Sequence, residues 1–471
     1  MSFEIVQLQS ICKKIVSGGT PKSTNPDFYN NGTIPWVKTK EVNNNRIHVS
    51  ENYITELGLK SSSAKIIPSN SVIIAMYGNG DTAGRVAINK IPVSTNQACC
   101  NLIIDNRKAD YRYVFYFLRT QYQRLVDLKN GGAQQNLNAK TIKEYPFPFA
   151  PLQFQNVVAD ILEGLDEKII LNQCINQTLE QMAQALFKSW FVDFEPVKAK
   201  IAALEAGGSQ EEATLASMTA ISGKDADALM VFEHERPEQY AELKATAELF
   251  PSALQDSELG KIPEGWRVAD LSNVASLNAE SWSKKKSPES VSYVDLANTK
   301  WGVINSTETY QFSDAPSRAK RILKPHDTIV GTVRPGNGSY AYISKTGLTG
   351  STGFAVLTPK DRIFSEYIYL CVTSNESIER LAHLADGGAY PAVNADVVLS
   401  TQCVLPVERE TIEALLKMFS SRTEVFFSYR ANNLDQNEVL SSIRDTLLPK
   451  LLSGEITLPE AEQALSEVEN V

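Results

Sequence analysis

The feature that most constrains this chain is that it is written twice. The stretch "KNGGAQQNLNAKTIKEYPFPFAP", from Lys129 to Pro151, returns as "ADGGAYPAVNADVVLSTQCVLPV", from Ala385 to Val407. Four other pairs keep the same spacing. "IPWVKTKEVNNNRIH" (34–48) aligns with "VSYVDLANTKWGVIN" (291–305), and "IIPSNSVIIAMYGNG" (66–80) with "ILKPHDTIVGTVRPGNG" (322–338). "STNQACCNLI" (94–103) aligns with "STGFAVLTP" (351–359), and "YRYVFYFLRTQ" (111–121) with "SEYIYLCVTSN" (365–375). The offset stays between 254 and 258 residues, which indicates duplication of a whole domain rather than the short period of a solenoid. It places Trp36 on Tyr293, Tyr77 on Arg334 and Asn138 on Asn394.

Each copy predicts the same elements. "SVIIAMY" and "TIVGTV" are short β-branched runs ending in Gly/Asn turns, the mark of buried strands. "DYRYVFYFLRTQYQRLV" repeats aromatic and aliphatic residues every three to four positions, so it predicts a helix. Pro146, Pro148 and Pro151 close the first copy in an extended exit. Each copy is therefore an α+β domain, and each is followed by a heptad pattern. Ile161, Leu165, Lys168, Asn172, Ile175, Leu179, Met182 and Leu186 keep 4-3 spacing. So do Leu415, Phe419, Arg422, Phe426, Tyr429, Asn433, Gln436, Leu440, Ile443 and Leu447. Both read as coiled-coil seams that turn polar midway, a device that weakens a coil but fixes its register.

The net charge of −9 hides an uneven distribution. Residues 1–150 hold 18 Lys and Arg against 10 Asp and Glu, while residues 200–260 hold 4 against 12. Residues 261–405 are near neutral, with 15 against 14. A basic first domain suits a polyanionic partner, and an Ala/Glu-rich connector suits a solvated helical segment. Six cysteines lie scattered without a disulfide framework; with no transmembrane run and no signal peptide, the expectation is a cytoplasmic protein.

The chemistry of an enzyme is missing. "GNGDTAG" (78–84) spaces its third glycine one position too late for a dinucleotide turn, and "SGK" (222–224) lacks the rest of a phosphate loop. The four histidines are far apart, no cysteine pair has zinc spacing, and there is no G-x-S-x-G elbow. No Asn/Asp-Pro-Pro-aromatic tetrapeptide of an amino-methyltransferase is present. The expectation is no catalytic residue, no metal and no cofactor in this chain.

Several segments resemble the DNA-specificity subunits of type I restriction-modification systems. These are "SGGTPKS" (17–23) followed by "IPWVKT", "GGAQQNLNAKTI" with "FAPLQFQNVVADIL", "ALFKSWFVDFEP" (185–196), "LGKIPEGW" (259–266) and "LLPKLLSGEI" (447–456). The resemblance implies an α+β protein in which two similar target-recognition domains are separated by a pair of long antiparallel coiled-coil helices, with an internal pseudo-two-fold repeat. On this reading residues 1–152 are the first recognition domain and 153–198 the first helix. Residues 199–258 form the acidic connector, 259–406 the second recognition domain, 407–456 the second helix and 457–471 a tail. Each domain would read half of a bipartite, asymmetric site in double-stranded DNA. Two methyltransferase subunits, which carry S-adenosylmethionine and methylate adenine N6, would dock on the helices. The residues taken for that docking are Ile161, Leu165, Ile175, Leu179, Met182, Leu186, Leu415, Phe419, Phe426, Leu440, Ile443 and Leu447. Restriction subunits using ATP and Mg would complete the endonuclease.

Base reading needs side chains that offer donors and acceptors to a groove, with Lys and Arg on the phosphates. In the first domain the polar loops offer Lys38, Lys40, Asn43, Tyr77, Asn79, Asn96, Gln97, Gln134 and Gln135. In the second they offer Asn298, Lys300, Arg334, Asn337, Tyr340 and Tyr390. Two other classes fit the duplication: a stand-alone DNA-modifying enzyme, which would need a cofactor or metal motif, and a scaffold that joins proteins only.

Overall fold

The protein is described by a computed structural model covering residues 3–78, 82–128, 136–283, 285–385 and 391–456. The chain forms two compact units, residues 1–172 with 434–471, and residues 173–433. Asn79, Gln134, Gln135 and Tyr390, among the expected DNA contacts, lie outside the described residues.

In the first unit, strands β1 (Glu4–Gln7), β2 (Cys12–Ser17), β3 (Ile34–Val37), β4 (Asn45–Ile47) and β5 (Tyr53–Ile54) precede β6 (Ser71–Ala75) and β7 (Val86–Asn89). Strands β8 (Ser94–Thr95), β9 (Cys99–Ile104) and β10 (Pro146–Phe149) follow. One sheet runs β2-β9-β6-β7-β4 and a second β5-β3-β8, with β1 paired to β10. The run "SVIIA" of β6 is buried at every position, as its unbroken apolar pattern requires. The helix Tyr111–Thr120, capped by the Asp110 carboxylate accepting from the Arg112 N–H, buries Tyr113 to Leu118 in the same core as Leu102 and Phe147.

The strands of the second unit begin with a hairpin, β11 (Leu254–Ser257) and β12 (Gly260–Pro263). It continues with β13 (Trp266–Asp270), β14 (Ala275–Leu277), β15 (Ser290–Val294), β16 (Thr299–Lys300), β17 (Val303–Ile304) and β18 (Glu308–Gln311). The remaining strands are β19 (Ala319–Ile322), β20 (Thr328–Gly331), β21 (Tyr340–Tyr342), β22 (Leu348–Ser351), β23 (Phe354–Pro359) and β24 (Gln402–Pro406). The sheet β14-β23-β20-β21 repeats β2-β9-β6-β7, and β18-β15-β22-β19 contains the order β5-β3-β8. One pair in this sheet is parallel in both units, β3 with β8 and β15 with β22. The pairing of β13 with β24 repeats that of β1 with β10. The two Gly-Gly-Ala segments thus lead to equivalent places. Asn138 caps the helix Ala139–Lys143 before β10, and Asn394 precedes the helix Ala395–Leu399 before β24.

Two long helices, Leu152–Phe191 and Arg409–Ser453, run antiparallel to each other within each unit. In the first unit Leu165 and Ile169 pack on Leu440, and the Asn172 amide donates to Gln436 Oε1 at 2.8 Å and Asn437 Oδ1 at 3.0 Å. In the second unit the Asn433 amide donates to Asn176 Oδ1 at 2.8 Å, and Arg430 pairs with Glu180. The repeat offset itself relates Asn176 to Asn433.

The seam is not the stripe that the apolar residues suggested. Leu162, Leu165, Ile169, Asn172, Asn176, Ala183 and Phe187 are buried, whereas Ile175 and Met182 are 39% and 48% exposed. Ile161, Leu179 and Leu186 are half-buried at its edge. In the second helix Leu415, Phe419, Leu440 and Leu447 are buried and Ile443 half-buried, but the middle is carried by Thr423, Phe427 and Arg430. Phe426 is half-buried there and Tyr429 is 59% exposed. A stripe set by hydrophobicity alone slips by one position wherever a polar residue is the one turned inward. The first helix also stops at Phe191 rather than near 198. Phe194 adopts a left-handed φ of 54°, and Pro196 starts a separate helix, Glu195–Glu205.

The acidic connector is more ordered than a partly helical linker. It folds into Gln210–Ser222, Ala226–Glu235 and Pro237–Glu248 after that helix. Ser209 and Glu212 form a capping box, and buried Lys200 donates from Nζ to the Phe250 carbonyl at 2.6 Å. Around it Trp190, Phe191, Phe250, Trp266, Tyr367 and Phe419 form one aromatic cluster, with Trp190 edge-on to Phe250 at 5.3 Å. Among the described residues no helix is long and apolar enough to cross a membrane, and no group of His, Cys, Asp and Glu could hold a metal ion.

Candidate nucleic-acid interface

In the first unit the ends of the parallel strands β3 and β8 carry the polar side chains. Lys38 follows β3; its Nζ lies 5.1 Å from the Trp36 ring centroid and donates to Asn52 Oδ1 at 2.8 Å. Asn96 follows β8 and donates its N–H to the Val37 carbonyl at 3.0 Å, so the two strand ends are tied together. Its side-chain Oδ1 is buried with no partner among the described residues, and a buried acceptor left so carries a desolvation cost. Gln97, exposed, accepts from the Thr20 hydroxyl, and the Trp36 indole N–H holds the Gly19 carbonyl at 3.0 Å. Lys38, Asn96, Gln97 and Thr20 therefore share one edge.

Lys40 is exposed and paired with Glu51 at 2.5 Å, which raises the pKa of its ammonium. Asn43 is exposed and accepts from Arg85. Tyr77 is 38% exposed at the end of β6. Arg85 and Thr20 had no motif to announce them; only their contacts with Asn43 and Gln97 bring them to this surface.

The second unit gathers its candidates more tightly. Lys300, Arg334 and Asn337 line one open cleft of about 330 Å³ with Tyr293, Asp295, Arg318 and Ser339. Lys300 Nζ donates to Ser339 Oγ at 2.9 Å, and that hydroxyl donates to the Leu296 carbonyl at 3.0 Å. Asn298 is held by its backbone N–H donating to Asp295 Oδ1 at 2.8 Å. Arg334 is exposed in a left-handed conformation, φ 47°. Arg318, on the loop before β19, joins the cleft from a segment that offered no sequence pattern.

Tyr340 is a correction. It lies in β21 at 9% exposure, with its ring edge-on to Trp301 at 6.0 Å and 6.2 Å from Tyr369. Burial pushes its phenol up to about 12. The turn "PGNGSY" suggested a loop, but the strand begins at Tyr340 itself and turns the side chain inward.

The family model described as the type I restriction modification DNA specificity domain matches residues 2–181. The HindI specificity subunit of Haemophilus influenzae is 30% identical over 352 residues, covering 72% of this chain and 74% of that one. The MjaIX specificity subunit of Methanocaldococcus jannaschii is 25% identical over 457 residues, covering 94% and 92%. The crystal structure of a type I restriction-modification S subunit from M. genitalium has the same fold, with a TM-score of 0.50 at 12% identity over 96% of each chain. With two such domains, two long helices and these relatives, the chain belongs to the type I restriction enzyme specificity subunits, the non-catalytic components of their restriction-modification systems.

Proposed function

We propose that this subunit selects a bipartite, asymmetric site in double-stranded DNA, one half read by residues 1–152 and the other by 259–406. The observation that carries the proposal is the repeated parallel pair, β3 with β8 and β15 with β22, whose ends present different side chains on the same frame. The first frame offers Lys38, Asn96 and Gln97 at these ends; in the second, Asp295 and Ser351 stand at them, and Lys300 from β16 with Arg334 and Asn337 after β20 line the same cleft. Amide side chains can pair with adenine and Lys or Arg with guanine, so unlike edges on like frames suit unlike half-sites.

The long helices are the docking surface for two methyltransferase subunits, with restriction subunits completing the complex. Both helices keep large apolar residues exposed off their seam: Ile170, Leu171, Ile175 and Met182 on the first, and Val425, Tyr429 and Val439 on the second. Exposed apolar residues in such numbers mark a surface that a protein partner covers. This moves the expected docking residues from the seam to the outer faces. S-adenosylmethionine belongs to the methyltransferase and ATP with Mg to the restriction subunit, and the complex acts in the cytoplasm.

The test is to assemble the full chain with its methyltransferase subunits, methylate random-sequence DNA and map the modified adenines. The reading expects two defined half-sites separated by a gap of fixed length and free sequence. Methylation without sequence preference would remove it.

A further inference from the structure

Trp301 occupies a position that its twin in the first repeat fills at far lower conformational cost. With Gly302 it forms the two-residue loop between β16 and β17, and both residues have positive φ, 48° and 81°. A two-residue hairpin loop of this kind favours Asn-Gly, because a left-handed conformation is cheap for asparagine and glycine and costly for a bulky side chain. The repeat offset of 257 residues puts Asn44 on Trp301, and Asn44 is also left-handed, at φ 52°. The backbone feature is thus common to both units, but the second places a tryptophan in it.

That tryptophan is not hidden. Trp301 is 59% exposed, whereas Trp36, Trp190 and Trp266 are at 5% or less. Its posture is nevertheless held. Its backbone N–H donates to the Gly338 carbonyl at 2.7 Å, and the ring lies so close to Gly338 that a Cβ there would come within 2.5 Å of it. Gly302 is pinned in turn, since a Cβ on it would meet the Tyr369 hydroxyl at 2.8 Å and Arg430 Nη2 at 2.9 Å. Beside the loop, Lys300 and Arg334 line the cleft with Arg318, and Arg334 is the other left-handed non-glycine residue there. Strain of this kind persists where the surroundings over-determine it, and it collects at binding sites.

We infer that Trp301 is a base-contacting residue of the second recognition domain. Its exposed ring packs against a base step of that half-site, beside the cleft from which Lys300 and Arg334 reach the neighbouring bases and Arg318 the adjoining phosphate. An aromatic ring set against base faces gains affinity by stacking, and an apolar side chain wedged at a step selects sequences that unstack easily. The inference rests on the DNA-reading function proposed above.

The test compares the full chain, assembled with its methyltransferase subunits, as wild type, Trp301→Ala, Trp301→Asn and Trp301→Phe. Affinity is measured for a duplex carrying the mapped site and for one with the second domain's half-site scrambled, and the methylated sequences are remapped. Trp301→Ala and Trp301→Asn should bind the matched duplex about tenfold more weakly, bind the scrambled one as wild type does, and relax one half-site only. Trp301→Phe should keep most of the discrimination. Trp301→Asn restores the residue suited to the turn, so the measurement survives if Trp301→Ala fails to fold. If wild type discriminates and both variants match it within about twofold, with unchanged half-sites, Trp301 is not a base contact and the DNA-reading function stands. If wild type itself does not discriminate, the DNA-reading function falls, and this inference with it.

Discussion

Asp166 shows what single residues do here and why a sequence conceals them. It sits on the first long helix at 7% exposure and accepts from Arg444 at 2.8 Å, from the Tyr116 hydroxyl at 2.8 Å and from Arg46 at 3.1 Å. Burial alone would raise its pKa; the hydrogen bonds from Arg444 and Tyr116 and the charges of Arg444 and Arg46 outweigh that and lower it. A carboxylate depressed in the folded state adds stability that is complete above its unfolded pKa of about 3.9 and is lost as the pH falls through the folded value. Replacing Asp166 by alanine should take one carboxylate from Arg46, which keeps Glu163, and from Arg444, which keeps Asp445, and cost about 1–3 kcal/mol, read by denaturant titration at neutral pH. The cost should shrink below pH 4; a loss under about 1 kcal/mol at pH 7 would show the cluster to be a surface network. Nothing in the sequence joins residues 46, 116, 166 and 444, because four separate elements bring them together. Composition pointed to polar positions beside apolar strands: Lys38, Asn96 and Arg334 follow β3, β8 and β20, and Lys300 ends the short β16. It could not show that Tyr340 faces inward.

At the scale of elements, the helices were legible as partners, but the end of the first and the rotational phase of both were not. Their 4-3 spacing drew both seams, and Leu165, Asn172, Phe419 and Leu440 are buried where it placed them. The phase slipped around Ile175 and Tyr429 because hydrophobicity chose them over Asn176 and Arg430, which are 6% and 7% exposed. A buried amide pair lowers stability relative to apolar packing while penalising any shifted alignment. Asn433→Leu alone should destabilise by about 1–3 kcal/mol, since the Asn176 carbonyl loses its donor in a dry seam. The Asn176→Leu, Asn433→Leu double variant should recover most of that loss. Equal losses in the single and double variants, measured by thermal and chemical unfolding, would mean that the two side chains do not act as a pair.

The whole molecule was legible because duplication leaves a period that survives divergence, and a repeated fold needs a repeated pattern of strands and turns. The order of strands within each unit was not legible, since short runs such as "ST" at 94–95 carry almost no pairing information of their own. The connector was read as partly helical from its Ala/Glu-rich, acidic composition, which marks a solvated face and says little about the apolar face packed beneath it. If helix length sets the spacing between half-sites, one heptad inserted in both helices, after Ile175 and at the facing turn near Asn433, lengthens the rod by about 10.5 Å at ~1.5 Å per residue. The mapped gap should then grow by about 3 base pairs, with half-site sequences unchanged and affinity reduced. An unchanged gap with activity retained would separate these helices from spacing. The central claim is that two like frames read two unlike half-sites, and the most direct measurement is a domain exchange. Residues 20–150 are replaced by the matching region of a relative with a different specificity, and the methylated adenines of the assembled complex are mapped. The account predicts that one half-site changes to the relative's sequence while the other half and the gap stay as they were; a change in both halves would contradict it.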